Sequence, residues 1–568
     1  MRFLIAAAMF VVSVILVLAG FAQRTIWAPP VSVSMAVKYD STSPFVVIPH
    51  STLALHKGSP TVKVNGETVG AFISTGREAD ILAFVGKSPY EQLDLNAKQT
   101  AIKPIKVFGG AIGFSPVGSD LWRDETSGAN TATLKVSSGA DGAALIASNG
   151  LKHAPGEVDI IWPIFHDLTW SNVALISGAV LLLGAMVLLV IQLVDRRRKR
   201  GPRRRLPKAP SGPKYREKRR TRFAPAKGRR AAGRALRVLP ATLITIGLVT
   251  GCSPSSAPVQ ASPSPSSSAA EVAPPVVLLS QLHRILEDVA ASAKAADESN
   301  NKKLLSPRFI GPALNLRAIH YYLRSKDKKS PALPAIVSSP LTFSLPAATN
   351  VWPRSIMAVT DEIGDTALPQ LIVLQQKSPR ENYQVWYTVR LMPGAKIPAV
   401  PSITTGSIPV DSKSLFLKVP PLSLPAAYGD LINKGPSSLS AQLFDITNDE
   451  FYKQVSTSQT QQVTNLKNGK ITFTHKLGDA NVIGLSTSQA GALVAVYMTD
   501  TYLIRPTKVG TAVGVSGQEA LILGANGSTK GVRSIYGNML LFFVPALSES
   551  SKIRLIGVTQ GLVSVRGL

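Results

Sequence analysis

Residues 172–194, NVALISGAVLLLGAMVLLVIQLV, contain no charged side chain and run directly into DRRRKR. A helix rises about 1.5 Å per residue, so the run reaches across the roughly 30 Å of a bilayer core. Within lipid the backbone must satisfy its own hydrogen bonds, which leaves a helix as the one conformation open to a lone segment. Trp162 and Trp170 come before the run and the cluster at 196–200 comes after it. Tryptophan favours the interface, and Lys and Arg favour the cytoplasmic flank. The pattern predicts a transmembrane helix over 172–194 with residues 24–167 outside and the basic stretch inside.

A second uncharged run, residues 3–22, is also long enough to span. Gly20 and Ala22 are spaced like a signal-peptidase site, but the run exceeds the roughly 7–15 residues of a cleavable signal core, so an uncleaved anchor is the preferred reading. The formal charge of +28 is concentrated just beyond the 172–194 run: residues 196–237 hold 20 Lys and Arg against one acid, Glu217. With Pro and Gly spacing the cations and few apolar residues, 195–237 is expected to be a disordered cytoplasmic loop. Tyr215 and Phe223 among the cations would suit a nucleic-acid arm. Attraction to anionic headgroups, about 1 kcal/mol per basic residue, accounts for the same composition, and nucleic acid is not an expected partner.

The only cysteine, Cys252, excludes an intramolecular disulfide. It follows an apolar stretch, 238–250, that as a helix covers only about 20 Å, short for a span but suited to a signal core. A basic segment, KGRRAAGRALR, lies ahead of it, and Val249, Thr250 and Gly251 lead into Cys252. This sequence resembles the lipobox of bacterial lipoproteins. The resemblance implies cleavage before Cys252 and a diacylglyceryl thioether on its sulfur, each buried methylene adding about 0.8 kcal/mol of anchoring. The alternative is a third transmembrane segment over 238–252 with the cysteine near its outer end. Either way residues 276–568 are expected outside, behind a Pro/Ser/Ala linker at 253–275.

Residues 24–167 read as an all-β, sandwich-like domain: short apolar or alternating stretches such as FVVIP, TVKVN and GAALIAS, punctuated by Gly, Pro, Asn and Asp. Asn65-Gly66 is a candidate two-residue hairpin turn. ADILAFVG, residues 79–86, is read as a strand, and FGGAIGF, residues 108–114, as a bulge or turn lacking the context of a nucleotide loop. His50, His56, His153 and His166 have no metal-ligand spacing, and no metal or cofactor is predicted. Arg77, Glu78 and Asp80 are read as an exposed turn in preference to a polar site.

Residues 276–568 predict an α+β domain. Leu278, Leu282, Ile285, Leu286 and Val289 mark one helical face, 309–323 give a second helix, and short strands follow; the same order recurs from LPAAYGDLINKG onward. Two helix-plus-antiparallel-sheet units in tandem are one form this could take, with the cone-shaped fold of nuclear-transport-factor-like domains as an analogy of pattern. G-x-S-x-G, H-E-x-x-H and Walker motifs are missing. Ser325 and Lys328 have S-x-x-K spacing without companion motifs, and His283, His320 and His475 lie apart in sequence. No catalytic residue is predicted.

The layout, closing on KIRLIGVTQGLVSV at 552–565, resembles a group of actinobacterial membrane-anchored envelope proteins to which no activity is assigned. The resemblance implies a multidomain membrane protein with two to three hydrophobic helices and transfers no site residue. Residues 276–568 carry 29 basic and 18 acidic groups, and 24–167 carry 12 and 13. The expected function is a non-enzymatic, membrane-anchored cell-envelope protein with a binding or assembly role, its partners membrane lipid and other envelope proteins or anionic envelope polymers. The alternative is an envelope enzyme, or an accessory of a membrane glycan- or lipid-handling enzyme.

Overall fold

A computed structural model of the chain describes residues 2–28, 30–66, 69–137, 141–165, 169–199, 273–361 and 368–568. The chain divides into two compact units, Met1–Ala28 with Asp167–Glu271 and Pro29–His166 with Val272–Leu568. The lipobox-like residues Val249, Thr250, Gly251 and Cys252, the basic loop from 200 onward and the linker up to 272 lie outside the described residues.

The first unit holds helices α1 (Arg2–Ala22) and α4 (Thr169–Lys199). Leu4–Ala22 and Thr169–Arg198 are long and apolar enough to cross a membrane by length and composition. Gly20 meets Leu175, Gly178 meets Val17 and Gly184 meets Met9, so the helices pack antiparallel. Glycine lets the two backbones approach; a Cβ on Gly178 would stand 2.8 Å from Val17 Cγ2. At the same end Ser171 Oγ donates to Gly20 O at 2.9 Å and Arg24 Nε donates to Ser171 Oγ at 3.0 Å.

In the second unit, residues 30–165 form two facing sheets. Strands β1 (Ser32–Lys38), β3 (Thr61–Asn65), β8 (Thr131–Lys135) and β10 (Glu157–Pro163) make an antiparallel sheet in the order β1-β10-β3-β8. Strands β2 (Phe45–Ile48), β4 (Ala71–Arg77), β5 (Tyr90–Leu95), β6 (Ile102–Val107), β7 (Asp124–Gly128) and β9 (Gly142–Ala147) make the other, in the order β6-β5-β2-β9-β4-β7, with β2 and β5 parallel. Alternation sends Val46, Ile48, Ile73 and Ile146 of the larger sheet against Val62, Val64, Val158 and Ile160 of the smaller. A short helix, α2 (His50–Leu53), follows β2.

The domain is sheet-rich but not all-β. Residues 79–86, expected as a strand, belong to helix α3 (Glu78–Val85). Glu78 and Asp80 suit the positive end of a helix dipole, Ile81, Phe84 and Val85 share one face at helical spacing, and Gly86 ends the helix with φ +58. That face covers Phe45, Val47, Phe72 and Leu145 on the outer side of the larger sheet. The hairpin expected at Asn65-Gly66 does not form: β3 pairs with β8 and β10, whereas β4 sits in the other sheet. The chain crosses between sheets here, and the close approach needs glycine, since a Cβ on Gly66 would lie 2.5 Å from Gly70 O.

Residues 273–568 begin with α5 (Leu279–Ser299), α6 (Lys302–Leu305) and α7 (Gly311–Lys326). Strands β11 (Leu341–Pro346), β12 (Arg354–Thr360), β13 (Gln370–Gln376) and β14 (Gln384–Leu391) follow as a meander. After the two-residue β15 (Pro409–Val410) come α8 (Leu424–Lys434) and α9 (Glu450–Asn465), then the long strands β16 (Gly469–Ser486), β17 (Gly491–Pro506), β20 (Val532–Pro545) and β21 (Arg554–Gly567). An insertion between β17 and β20 carries β18 (Val513–Gly514), α10 (Gly517–Leu523) and β19 (Gly527–Ser528).

The two runs of strands are not separate sheets. They join through Arg390↔Val558 and Leu391↔Gly557 into one nine-stranded antiparallel sheet, β11-β12-β13-β14-β21-β20-β17-β16-β15. Helix α7 packs where β14 and β21 diverge, with Leu316 against Gly561 and Gly311 against Trp386. Residues alternate along β17 and β20 between two cores: Leu493, Ala495, Leu541 and Phe543 join that of α5 to α7, while Val494, Val496, Leu540 and Phe542 join that of α8 and α9.

Candidate functional site

Arg77 and Asp80, expected in an exposed turn, are buried at the joint between residues 30–165 and 273–568, while Glu78 stays half-buried. Arg77 ends β4 and Asp80 lies in the first turn of α3, three residues on, so their side chains meet on one face. Arg77 Nε and Nη2 donate to Asp80 Oδ2 and Oδ1 at 2.7 and 3.0 Å. Arg354, the first residue of β12, donates from Nη2 to Asp80 Oδ1 at 2.7 Å and is 0% exposed. Its guanidinium carbon stands 3.6 Å from the centroid of the Trp352 ring, which packs on the α3 cluster. Cation–π attraction thus replaces hydrogen bonds at Nε and Nη1, which have no partner among the described residues.

A second joint uses Asp120. Its Oδ2 accepts from Arg308 Nη1 at 2.6 Å and from the Tyr383 amide at 2.7 Å, while Arg308 Nη2 reaches Asp288 on α5 at 2.6 Å. Burial raises the Asp120 carboxyl above its ordinary value, and Arg308 and the Tyr383 amide pull against that rise. Burial also pushes up the Tyr383 phenol. Around the two carboxylates, Arg380 donates to Phe84 O and Val85 O at 3.0 and 2.9 Å and stacks 3.8 Å from the Phe114 centroid. Gln281 on α5 donates to Asp120 O and Leu121 O, and Asn382 donates to Gly118 O.

A separate polar line crosses the sheet. His475 Nδ1 and Asp500 Oδ1 are 2.6 Å apart, Asn538 Nδ2 donates to Asp500 Oδ2 at 2.7 Å, and Gln560 Nε2 donates to Asn538 Oδ1 at 2.9 Å. Each of β16, β17, β20 and β21 contributes one member. His475 and Asp500 are fully buried, while Gln560 is exposed. Gln459 on α9 approaches His475 Nε2 at 3.4 Å and Asp500 holds Nδ1, so among the described residues neither ring nitrogen faces a hydroxyl or thiol that it could activate. The pair fixes α8 and α9 on the sheet: Gly429 of α8 lies so close that a Cβ there would stand 2.5 Å from His475 Cβ.

The other residues singled out in the sequence have local roles. His50 donates its backbone amide to Glu78 Oε2, and His56 meets the edge of Trp162 at 5.6 Å. His153 is exposed, His283 is half-buried and His166 lies outside the described residues. His320 Nε2 is buried, and that burial lowers the ring's pKa. Ser325 Oγ donates to Tyr322 O in the last turn of α7, and Lys328 lies in the turn beyond it. Among the described residues no group of three or more His, Cys, Asp or Glu is placed to hold a metal ion.

Sequence reasoning missed Asp120, Arg308, Arg354 and the line from His475 to Gln560. The signal for most of the line was present: THK, TDT and GNM put His475, Asp500 and Asn538 at buried positions of mainly apolar strands, and Gln560 closes the line at an exposed position. Arg354, the distant partner of Asp80, carries no such mark, lying 274 positions away.

No curated protein and no solved structure matches the chain. Residues 273–567 match the model of a family described as Domain of unknown function (DUF8094), from the lead into α5 through β21. That match covers more than half of the sequence, and the chain belongs to this family.

Proposed function

We propose that the protein is a non-enzymatic, membrane-anchored component of the cell envelope with a binding or assembly role, its two globular portions on the outer face and residues 200–237 inside. The observation that carries this reading is the pair of buried joints, Asp80–Arg354 and Asp120–Arg308, because portions that share buried ion pairs share a compartment. Helix α4 ends in Lys and Arg, the mark of a cytoplasmic flank. A chain that leaves the outer face through α4 must return before residue 273, and 238–252 is the apolar segment in that interval. Anchoring through a lipidated Cys252, or through a third span at that position, serves the same topology, and the lipobox resemblance favours lipid.

Anionic envelope polymers and other envelope proteins are the proposed partners, given the net positive charge of 276–568. The two strand meanders, each preceded by helices, support the tandem reading of that half. The enzyme-accessory alternative rests on the His475–Asp500 pair, which has the form of a base held by a carboxylate; its complete burial and its Gln459 neighbour argue for a packing role. Protease added to intact spheroplasts tests the topology. Cleavage of both portions with an epitope at 200–237 spared is expected, and protection of both until lysis would overturn it. Mass spectrometry for a diacylglyceryl thioether on Cys252 decides the form of the anchor.

A further inference from the structure

We infer that residues 30–165 and 273–568 are complementary halves of a two-chain complex: they stay bound to each other when the chain between them is cut. In the cell such a complex arises if processing precedes Cys252, so its natural occurrence rests on the lipoprotein reading above, whereas the binding itself rests on the interface alone.

The contact is divided by chemistry. The first half presents acceptors: the Asp80 and Asp120 carboxylates and backbone carbonyls at the end of α3 and along 118–123. The second half presents donors, chiefly Arg308, Arg354 and Arg380 with Gln281. Contacts of reverse sense are fewer: the Asp120 amide donates to Asn382 Oδ1 at 3.0 Å, and Arg77 Nη1 reaches Pro274 O and Asn350 Oδ1 at 3.5 Å. A preponderance of donors on one side and of acceptors on the other favours the opposite half over a copy of the same half. Buried Arg–carboxylate pairs and a stacked Trp352 are the features that concentrate energy in stable interfaces.

Separation would also strand charge. Asp120 would lose Arg308, and Arg354 would lose Asp80, its carboxylate partner among the described residues. Charges that are buried and paired in the joined state oppose dissociation more strongly than rim pairs do. High salt acts on exposed pairs, with a Debye length of about 3 Å at 1 M, and leaves buried ones largely unscreened.

The test uses the full chain in membranes, with a site for a specific protease inserted between residues 255 and 270. After cutting and detergent extraction, a tag on the first half is captured, and the second half retained with it is measured in 0.15 M and in 1 M NaCl. Retention at both salt levels is expected. Arg308→Ala with Arg354→Ala should weaken binding by at least about 100-fold, and Arg380→Ala, at an exposed position, by about 10-fold. Separation of the unsubstituted halves on cutting, with the uncut chain still folded, would overturn the inference. Full retention by all the variants would equally overturn the assignment of these residues. Because the site is engineered, an unmodified Cys252 would remove the natural processing and leave this binding result standing.

Discussion

Asp80 Oδ1 and Arg354 Nη2 lie 2.7 Å apart across 274 positions of sequence, in a joint where Arg77 shares the same carboxylate. One carboxylate holds two buried guanidinium groups, so removing it takes away the counter-charge that both share. Asp80→Ala should therefore destabilise the protein by about 3–5 kcal/mol in denaturant unfolding. The exposed pair Lys38–Glu157, 3.4 Å apart, gives the contrast: Lys38→Ala should change stability by less than about 1 kcal/mol. Equal effects of the two substitutions would show that the Asp80 joint carries no special weight.

Gly429 tests the packing of α8 on the sheet. The added methyl of Gly429→Ala would meet His475 Cβ at 2.5 Å, and His475 is held by Asp500 and cannot swing aside. Overpacking of this kind costs about 1–3 kcal/mol, more than the helix-propensity gain of alanine over glycine, about 1 kcal/mol. A lowered unfolding midpoint for Gly429→Ala is the expected outcome, and a raised one would mean that α8 stands off from β16.

How much of this was legible in sequence divides along the range of the interactions. The long apolar helices α1 and α4 and the amphipathic face of α5 are readable because a dozen or more residues repeat one local pattern. Helix α3 was missed because eight residues with buried apolar positions fit a strand as well as a helix, and the choice was made by packing on Phe45 and Phe72. The Asn65-Gly66 turn was misread for a related reason: local turn chemistry permits a hairpin, but strand pairing with β8 and β10 sends β4 to the other sheet. Arg77, Glu78 and Asp80 stand out as a cluster in sequence, yet the burial of Arg77 and Asp80 involves Arg354 and Trp352, which local reading cannot supply.

Asp449 caps α9 by accepting from the Tyr452 amide at 2.8 Å and also accepts from Tyr428 Oη at 2.7 Å. Burial nevertheless raises its carboxyl above the ordinary 3.8. A raised carboxyl contributes stability that is complete below that ordinary value and is lost as pH climbs through the folded-state value. Asn is an equally good cap and never ionises. The stability advantage of the native protein over Asp449→Asn should therefore be largest below pH 3.8 and shrink as pH rises toward 7, measured by urea unfolding across that range. An advantage that grows with pH would mean that the hydrogen bonds outweigh burial.

If the Asp80 and Asp120 joints form in the cell, one residue from each half must report the same side of the membrane. Phe108 and Leu439 are 91% and 94% exposed and belong to residues 30–165 and 273–568 respectively. Phe108→Cys and Leu439→Cys, made singly, should react to the same extent with a membrane-impermeant maleimide on intact spheroplasts, while Tyr215→Cys in the basic stretch should react only after permeabilisation. The parent chain corrects for Cys252, whose thiol is blocked if lipid is attached. Labelling of one globular position without the other would place a bilayer between Asp80 and Arg354, which a 2.7 Å contact forbids; the interface and the topology drawn from it would then fall together.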